Sequence, residues 1–88
     1  MTGFLDGREV CSGAAFHSLI AQILGFPAHY GRNLDALYDC LTELPDGTEL
    51  VICHFDALRE NLGEVCAGRI LRVLSDAAGE GRFRFRCE

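Results

Sequence analysis

Apolar residues between Ser12 and Gly25 recur with the spacing of one face of an α-helix. The members of this face are Phe16, Leu19, Ile20, Ile23 and Leu24. The hydroxyl of Ser12 can cap the first turn, and Gly25 can take the left-handed conformation that ends many helices. We therefore predict a helix between these two residues and, because Pro27 blocks its continuation, a loop over residues 26–32.

Three more segments show helical features. Asn33 can cap a second helix, which closes before the turn Pro45-Asp46-Gly47. Its apolar face comprises Leu34, Leu37, Tyr38 and Leu41. Asp56 is the predicted cap of a short helix that ends near Gly63, and a longer helix ends at Gly79. The apolar face of the longer helix comprises Cys66, Ile70, Val73, Leu74 and Ala77.

Three short segments have the features of β-strands. Phe4 and Leu5 form a brief apolar start, and the run Leu50-Val51-Ile52-Cys53 is typical of a strand buried on both faces. The segment from Arg82 to Cys87 alternates arginine with apolar residues, so one face should be apolar and the other should carry guanidinium groups. Long connections separate the strands, which indicates an α/β fold with a small three-stranded parallel sheet packed with about four helices.

The length and the net charge of the chain limit the classes of protein to which it can belong. A chain of 88 residues supports one small core, so we predict a single domain over residues 1–88. The net charge is −5, and between Asn33 and Glu64 eight acidic residues are opposed only by Arg59. Such a chain is repelled by phosphate backbones and attracted to basic partners, although solubility alone also explains a moderate negative charge.

The cysteines and the N-terminus lead us to expect a cytoplasmic protein. Five cysteines form no CxxC pair and lie in apolar stretches, so we expect reduced core residues and neither disulfides nor a zinc site. The first residues lack the basic and apolar regions of a secretory signal. No apolar run reaches the roughly 18 residues of a membrane span, and nothing in the sequence indicates a metal or another cofactor.

The second predicted helix carries a stripe of carboxylates, Asp35, Asp39 and Glu43, which we name the acidic ridge. On a helical wheel the ridge lies roughly 100° to 180° from Leu34, and Tyr38 lies at its border with the apolar face. Like charges four residues apart cost a helix about 0.2–0.5 kcal/mol per pair, and the ridge contains two such pairs. The helix dipole favours Asp35 but hardly reaches Asp39, so a functional role explains Asp39 better than solvation does.

Other titratable residues have ordinary explanations. Asp76 follows an arginine by four residues and can form a surface ion pair with it. His17 is predicted to be solvated or at the rim of its helix, and His54 to pair with Asp56 or the backbone. His29 is the strongest functional candidate among the histidines because it lies in a loop, and loops often carry binding residues.

One block closely resembles the barstar family of intracellular ribonuclease inhibitors: it runs from Phe26 to Leu41 and reads FPAHYGRNLDALYDCL. The family pattern is Pro-x-x-Tyr-Gly-x-Asn-Leu-Asp-Ala-Leu-x-Asp, and the resemblance extends over the whole chain. It implies a non-catalytic, immunity-type inhibitor of a secreted, guanyl-preferring, barnase-like ribonuclease, which is either a free enzyme or a toxin domain. The acidic helix and the adjoining loop would block the active site by mimicking RNA phosphates in a 1:1 heterodimer, and the free chain would be a monomer.

Matched by position, the resemblance also implies which residues bind the partner. Asp35 and Asp39 would be the principal anchors. The accompanying contacts would be His29, Asn33, Tyr38, Glu43, Leu44 and Asp76. Tyr38 and Leu44 stand where tryptophans are usual, and Glu43 stands where glycine is usual, which implies a divergent nuclease with a more basic rim. Because His29 would face a cationic cleft, its protonation should weaken association.

Two other functions stay open. Arg82, Arg84 and Arg86, with the neighbouring phenylalanines as stacking platforms, could bind nucleic acid, although the net charge opposes this. Cys53 and His54 could serve a hydrolase or a redox protein, but no base and orienting group are spaced to activate them.

Overall fold

The sheet has three parallel strands in the order β1-β2-β3, so the second strand is central. A computed structural model, which describes residues 1–88, gives their bounds as β1 Thr2–Asp6, β2 Thr48–Cys53 and β3 Phe83–Cys87. Leu50, Val51 and Ile52 of the central strand are fully buried: Leu50 and Ile52 belong to the core, and Val51, on the opposite face, lies between Phe4 of β1 and Arg86 of β3. The predicted three-stranded parallel sheet is confirmed.

Four α-helices and one 3-10 turn connect the strands. They are the turn Gly7–Glu9, α1 Gly13–Leu24, α2 Leu34–Thr42, α3 Phe55–Leu62 and α4 Glu64–Ala78. Two predicted N-caps are present: Ser12 Oγ accepts a hydrogen bond from the Ala15 N–H at 3.1 Å, and Asn33 Oδ1 accepts one from the Ala36 N–H at 2.8 Å. Gly25 ends α1 with a left-handed φ of 71°. None of the four helices combines the length and the apolarity that crossing a bilayer requires.

One hydrophobic core lies between the helices and one face of the sheet. α1 packs on β1, α4 packs on β3, and α2 packs against α4. Fully buried core residues include Phe16, Ile20, Leu37, Leu41 and Leu74. The opposite face of the sheet carries the exposed side chains of Phe4, Arg84 and Arg86, which confirms the alternation predicted for the last strand.

The predicted N-cap of α3 is wrong. The cap position is His54, whose backbone is left-handed with φ 53° and whose side chain makes no capping bond. The carbonyl of His54 accepts hydrogen bonds from the N–H groups of Ala57 and Leu58, so the helix begins two residues earlier than predicted. Asp56 lies in the first turn and pairs with Arg59 at 3.1 Å, and His54 pairs with neither Asp56 nor the backbone through its ring.

The cysteines are free; the expectation that they are core residues is wrong for Cys11 and Cys87, whereas Cys40 and Cys66 pack against the core. Cys11 and Cys87 are exposed, and Cys40, Cys53 and Cys66 are partly exposed. The cause is their position at the margins of the apolar faces. Cys87, for example, is the last residue of the edge strand β3.

Candidate functional site

Asn33 joins the loop to the start of α2. Its Oδ1 caps the helix at Ala36, and its Nδ2 donates a hydrogen bond to the carbonyl of Gly31 at 3.2 Å. Gly31 lies so close that a Cβ there would come within 3.2 Å of both the Ala36 Cβ and the Asn33 amide nitrogen. The asparagine and the glycine therefore fix the angle between the loop and the helix, and with it the direction in which the acidic ridge begins.

The acidic ridge is exposed along α2 and has no counter-ion within the chain. Asp35, Asp39 and Glu43 are all exposed, and none belongs to the three ion pairs of the molecule. The Cys40 thiol lies beside the ridge: burial raises its pKa, and the charges of Glu43 and Asp39 raise it further. The ridge therefore presents uncompensated negative charge to the solvent.

A cleft of about 220 Å³ lies between the ridge and the loop. His29 and Gly31 line it from the loop, and Asp39, Cys40 and Glu43 line it from α2. The structure thus brings His29 of the loop next to two residues of the acidic ridge, Asp39 and Glu43. Two carboxylates at the border of a small cleft suit a cationic group such as a guanidinium, which forms charge-assisted hydrogen bonds with them.

The remaining candidate residues lie outside this cleft. Asn33 and Asp35 are exposed at the start of α2, and Tyr38 is partly buried against the core, at the border where the helical wheel predicted it. Leu44 is a correction: it is 7% exposed and belongs to the core, because the chain turns inward after α2, so its side chain offers little surface to a partner. Asp76 is exposed on α4.

The surface ion pair that explained Asp76 does not form. No nitrogen of Arg72 lies within 4.0 Å of its carboxylate, and the carboxylate takes part in none of the ion pairs. Asp76 is thus a second unpaired acidic position, on the helix that packs against α2.

Two contacts between the loop and α1 were not predicted. His17 Nδ1 lies 2.6 Å from the hydroxyl of Tyr30, and Arg32 Nη1 donates a hydrogen bond to Ser18 Oγ at 3.0 Å. Burial raises the pKa of Tyr30 to about 12, while burial and the charge of Arg32 lower the pKa of His17. The only signal in the sequence was that His17 adjoins the buried Phe16 on α1.

No group of three or more histidine, cysteine or acidic side chains is arranged to hold a metal ion. The most spacious apolar groove, about 410 Å³, lies between α1 and the start of α4 and is lined by Phe16, His17, Leu34, Val65 and Ile70 among others. No residue of the acidic ridge lines this groove, so the candidate site is the ridge with its adjoining cleft.

Comparison with known proteins identifies the family. The whole chain, residues 1–88, matches the family described as Barstar (barnase inhibitor). The chain belongs to the barstar family. A relative in Bacillus subtilis (strain 168), named "Putative ribonuclease inhibitor YrdF", is 38% identical over 85 residues, which cover 93% of this chain and 90% of the relative. The resemblance inferred from residues 26–41 is confirmed, and the parallel sheet with four helices is consistent with it.

Proposed function

We propose that the chain inhibits a guanyl-preferring, barnase-like ribonuclease by covering its active site with the acidic ridge and the preceding loop. The observation that carries the proposal is the ridge itself, three exposed carboxylates without a counter-ion on one helix. The description of the barstar family and the name of the relative support a ribonuclease as the class of partner.

The physical basis is electrostatic complementarity. A site that cleaves RNA must stabilise phosphate charge, and it does so with arginine, lysine and histidine side chains. A rigid row of carboxylates can occupy the same positions as the phosphates. Long-range attraction would accelerate the encounter, and desolvated hydrogen bonds between carboxylate and guanidinium would slow dissociation.

The geometry suggests a division of roles within the site. Asp39 and Glu43 border the cleft with His29, so they would receive a cationic side chain of the nuclease. Asp35 and Asn33 would contact the rim at the start of α2, Tyr38 would add apolar area, and the unpaired Asp76 would be an outlying contact. Leu44 contributes packing beneath this surface rather than a contact.

The proposed biological role is that of a cytoplasmic immunity protein or antitoxin, monomeric when free. It would protect the producing cell by forming a 1:1 complex with the nuclease and would catalyse no reaction itself. The nuclease is a free enzyme or the toxic domain of a larger secreted protein, and both would present the same basic cleft to the ridge.

The arginine face of β3 supports nucleic-acid binding less well. The phenylalanines that would stack on bases point into the core, and Phe83 is 1% exposed. Arg86 is paired with Glu88 at 3.0 Å, which leaves Arg84 as the unpaired arginine within the strand. A gel shift with single-stranded RNA that weakens steeply with salt would favour this alternative over inhibition.

The test is inhibition of a ribonuclease from the same cell, either one that the cell secretes or one whose gene lies beside the gene of this chain. Asp39→Ala is compared with Glu60→Ala, which removes the same charge from the exposed face of α3. Truncating a desolvated charge at an interface costs about 2–5 kcal/mol, a range to which the barstar family itself contributes, so the inhibition constant should rise about 30- to 5,000-fold for Asp39→Ala. Glu60→Ala should change it less than about threefold. Equal effects of the two variants would exclude the ridge as the inhibitory surface.

A further inference from the structure

The loop before α2 is attached to α1 by two side-chain hydrogen bonds. His17 pairs with Tyr30 at 2.6 Å, and Ser18 accepts a hydrogen bond from Arg32 at 3.0 Å. Tyr30 is 8% exposed, and its ring lies 5.0 Å from that of Phe26, between centroids. The other face of the same loop segment borders the cleft next to Asp39.

We propose that His17 is a positioning residue for the partner-binding loop: uncharged His17 holds Tyr30 and keeps the loop docked on α1, and protonation of His17 loosens the loop and weakens partner binding. The inference deepens the proposed function and rests on it, because the loop is taken to contact the nuclease. His17 itself would touch no partner atom.

The chemistry of the contact makes it sensitive to charge. The hydroxyl of Tyr30 keeps its proton at neutral and acidic pH, since burial raises its pKa to about 12. It can donate to the unprotonated Nδ1 of His17. A protonated imidazole carries hydrogen on both nitrogens and can no longer accept this bond. Protonation would also place a positive charge on a half-buried ring, where charge is poorly solvated.

Charged groups from the loop and from α4 face His17, and the one from the loop opposes its protonation. Burial lowers the pKa of His17, and the charge of Arg32, which comes from the loop, lowers it further. Across the 410 Å³ groove, α4 contributes Glu64 and Arg69, whose charges are opposite. Phe16 on α1 meets the imidazole edge-on, with ring centroids 5.4 Å apart.

Linkage gives the sign of the effect. The burial of His17 under Tyr30 and the nearness of Arg32 both exist only while the loop is docked. If docking of the loop on α1 disfavours protonation of His17, protonation of His17 must disfavour docking of the loop by the same free energy. A partner that binds only the docked loop should therefore bind more weakly as the pH falls below the range in which a histidine is neutral.

The test must separate His17 from His29, which would itself face a cationic cleft. All proteins therefore carry His29→Gln. In that background His17→Phe keeps an aromatic ring but removes the titrating group, and Tyr30→Phe keeps the ring of the loop but removes its hydroxyl. Gln22→Ala, an exposed position on α1, is the matched control.

The first measurement needs no partner: it is the hydrogen-exchange protection of the Tyr30 amide, which donates a hydrogen bond to the carbonyl of Pro27 at 3.0 Å, in the free protein at pH 7.5. His17→Phe and Tyr30→Phe should each lower this protection about 2- to 10-fold, the effect of losing one net hydrogen bond, and the double variant should be no worse than either single one. Protection equal to that of Gln22→Ala in both single variants would overturn the inference. Tyr30→Phe decides the question if His17→Phe does not fold.

The second measurement is the dissociation constant for the ribonuclease at pH 7.5 and pH 5.5. Groups of the nuclease titrate as well, so the informative quantity is the ratio between the proteins with and without His17. Between pH 7.5 and pH 5.5 the protein that carries His29→Gln alone should lose about 2- to 10-fold more affinity than the protein that also carries His17→Phe. An identical pH dependence would overturn the inference. If no variant binds a ribonuclease at all, the proposed function fails, while loop protection in the free protein still decides whether His17 positions the loop.

Discussion

Arg32 donates its hydrogen bond to Ser18 on α1, 3.0 Å away, rather than to the carboxylates that follow it on α2. It is the only arginine between Phe26 and Glu43, and its backbone is left-handed with φ 55°. The cation of the loop is therefore held on the neighbouring helix, and the acidic ridge keeps its full negative charge. This arrangement leads to a prediction about the rate of association.

Replacing Arg32 by glutamine should accelerate binding to a basic cleft. The variant removes a positive charge that lies near the ridge and opposes the approach of a cationic partner. We expect the association rate constant to rise about 2- to 5-fold at low salt and the gain to shrink as salt screens the charges. Stopped-flow mixing with the nuclease at several ionic strengths measures it. Arg84→Gln, on the far face of the sheet, is the control. Because Arg32→Gln also removes the hydrogen bond to Ser18, the informative quantity is the salt dependence of its association rate, and a salt dependence equal to that of Arg84→Gln would contradict the assignment of the ridge.

The parts of the fold that depend on local chemistry were predictable from the sequence. Ser12 and Asn33 cap their helices as the sequence indicated, because a cap needs only a short polar side chain three residues before a free N–H. The exposure of the acidic ridge followed from helical periodicity alone, and the buried central strand followed from its apolar run.

The contacts that depend on chain packing were not predictable. His17 and Tyr30 are separated by 13 residues, and no periodicity relates a helix position to a position in a loop. Leu44 is buried because the chain turns inward after α2 and the core accepts an aliphatic side chain there. The resemblance to the family, in which tryptophan is usual at this position, did not reveal this burial. The predicted cap of α3 was wrong because a backbone carbonyl, that of His54, accepts the hydrogen bonds of the first turn that a side chain was expected to accept.

Neutralising Asp39 should stabilise the free protein. Asp39 has a like charge four residues away on each side, Asp35 and Glu43, and none of these carboxylates has a counter-ion. Removing both repulsive pairs through Asp39→Asn should raise the free energy of unfolding by about 0.4–1 kcal/mol at low salt, even though inhibition is lost. Urea unfolding monitored by circular dichroism measures the change.

Asp35→Asn is the matched control for this effect. It removes only one of the two pairs, and it also removes a carboxylate from the first turn, where the helix dipole favours negative charge. We expect a change within about 0.3 kcal/mol of zero. If Asp35→Asn stabilised the protein as much as Asp39→Asn, general charge reduction rather than repulsion along the ridge would be the cause.

Two glycines should respond oppositely to replacement by alanine. A Cβ at Gly7 would lie 2.2 Å from the carbonyl oxygen of His54, and backbone cannot easily give way, so Gly7→Ala should cost about 1–3 kcal/mol of unfolding free energy. Gly68 lies inside α4 with open space around it, so Gly68→Ala should add about 0.5–1 kcal/mol. Thermal unfolding of the two variants provides the comparison, and a stabilising Gly7→Ala would contradict the close approach of Gly7, in the turn after β1, to the carbonyl of His54 after β2.

The ion pair between Asp6 and Arg8 should make the free energy of unfolding depend on pH in the acidic range. Asp6 accepts hydrogen bonds from the backbone N–H of Arg8 at 2.9 Å and from its guanidinium at 2.8 Å, and these contacts lower the pKa of Asp6 from 3.8 to about 2. Between these two values the unfolded chain binds more protons than the folded one, so the stabilisation is complete above about pH 4 and is lost as the pH falls to about 2.

Asp6→Asn keeps an acceptor for the backbone N–H but removes the charge. It should therefore be less stable than the wild type at pH 6, and the gap should close as the pH is lowered through the interval from about 4 to about 2. Urea unfolding across this interval measures the gap. Glu60→Gln removes one exposed carboxylate that belongs to no ion pair, and an equal narrowing in that variant would assign the effect to net charge instead of the contact with Arg8.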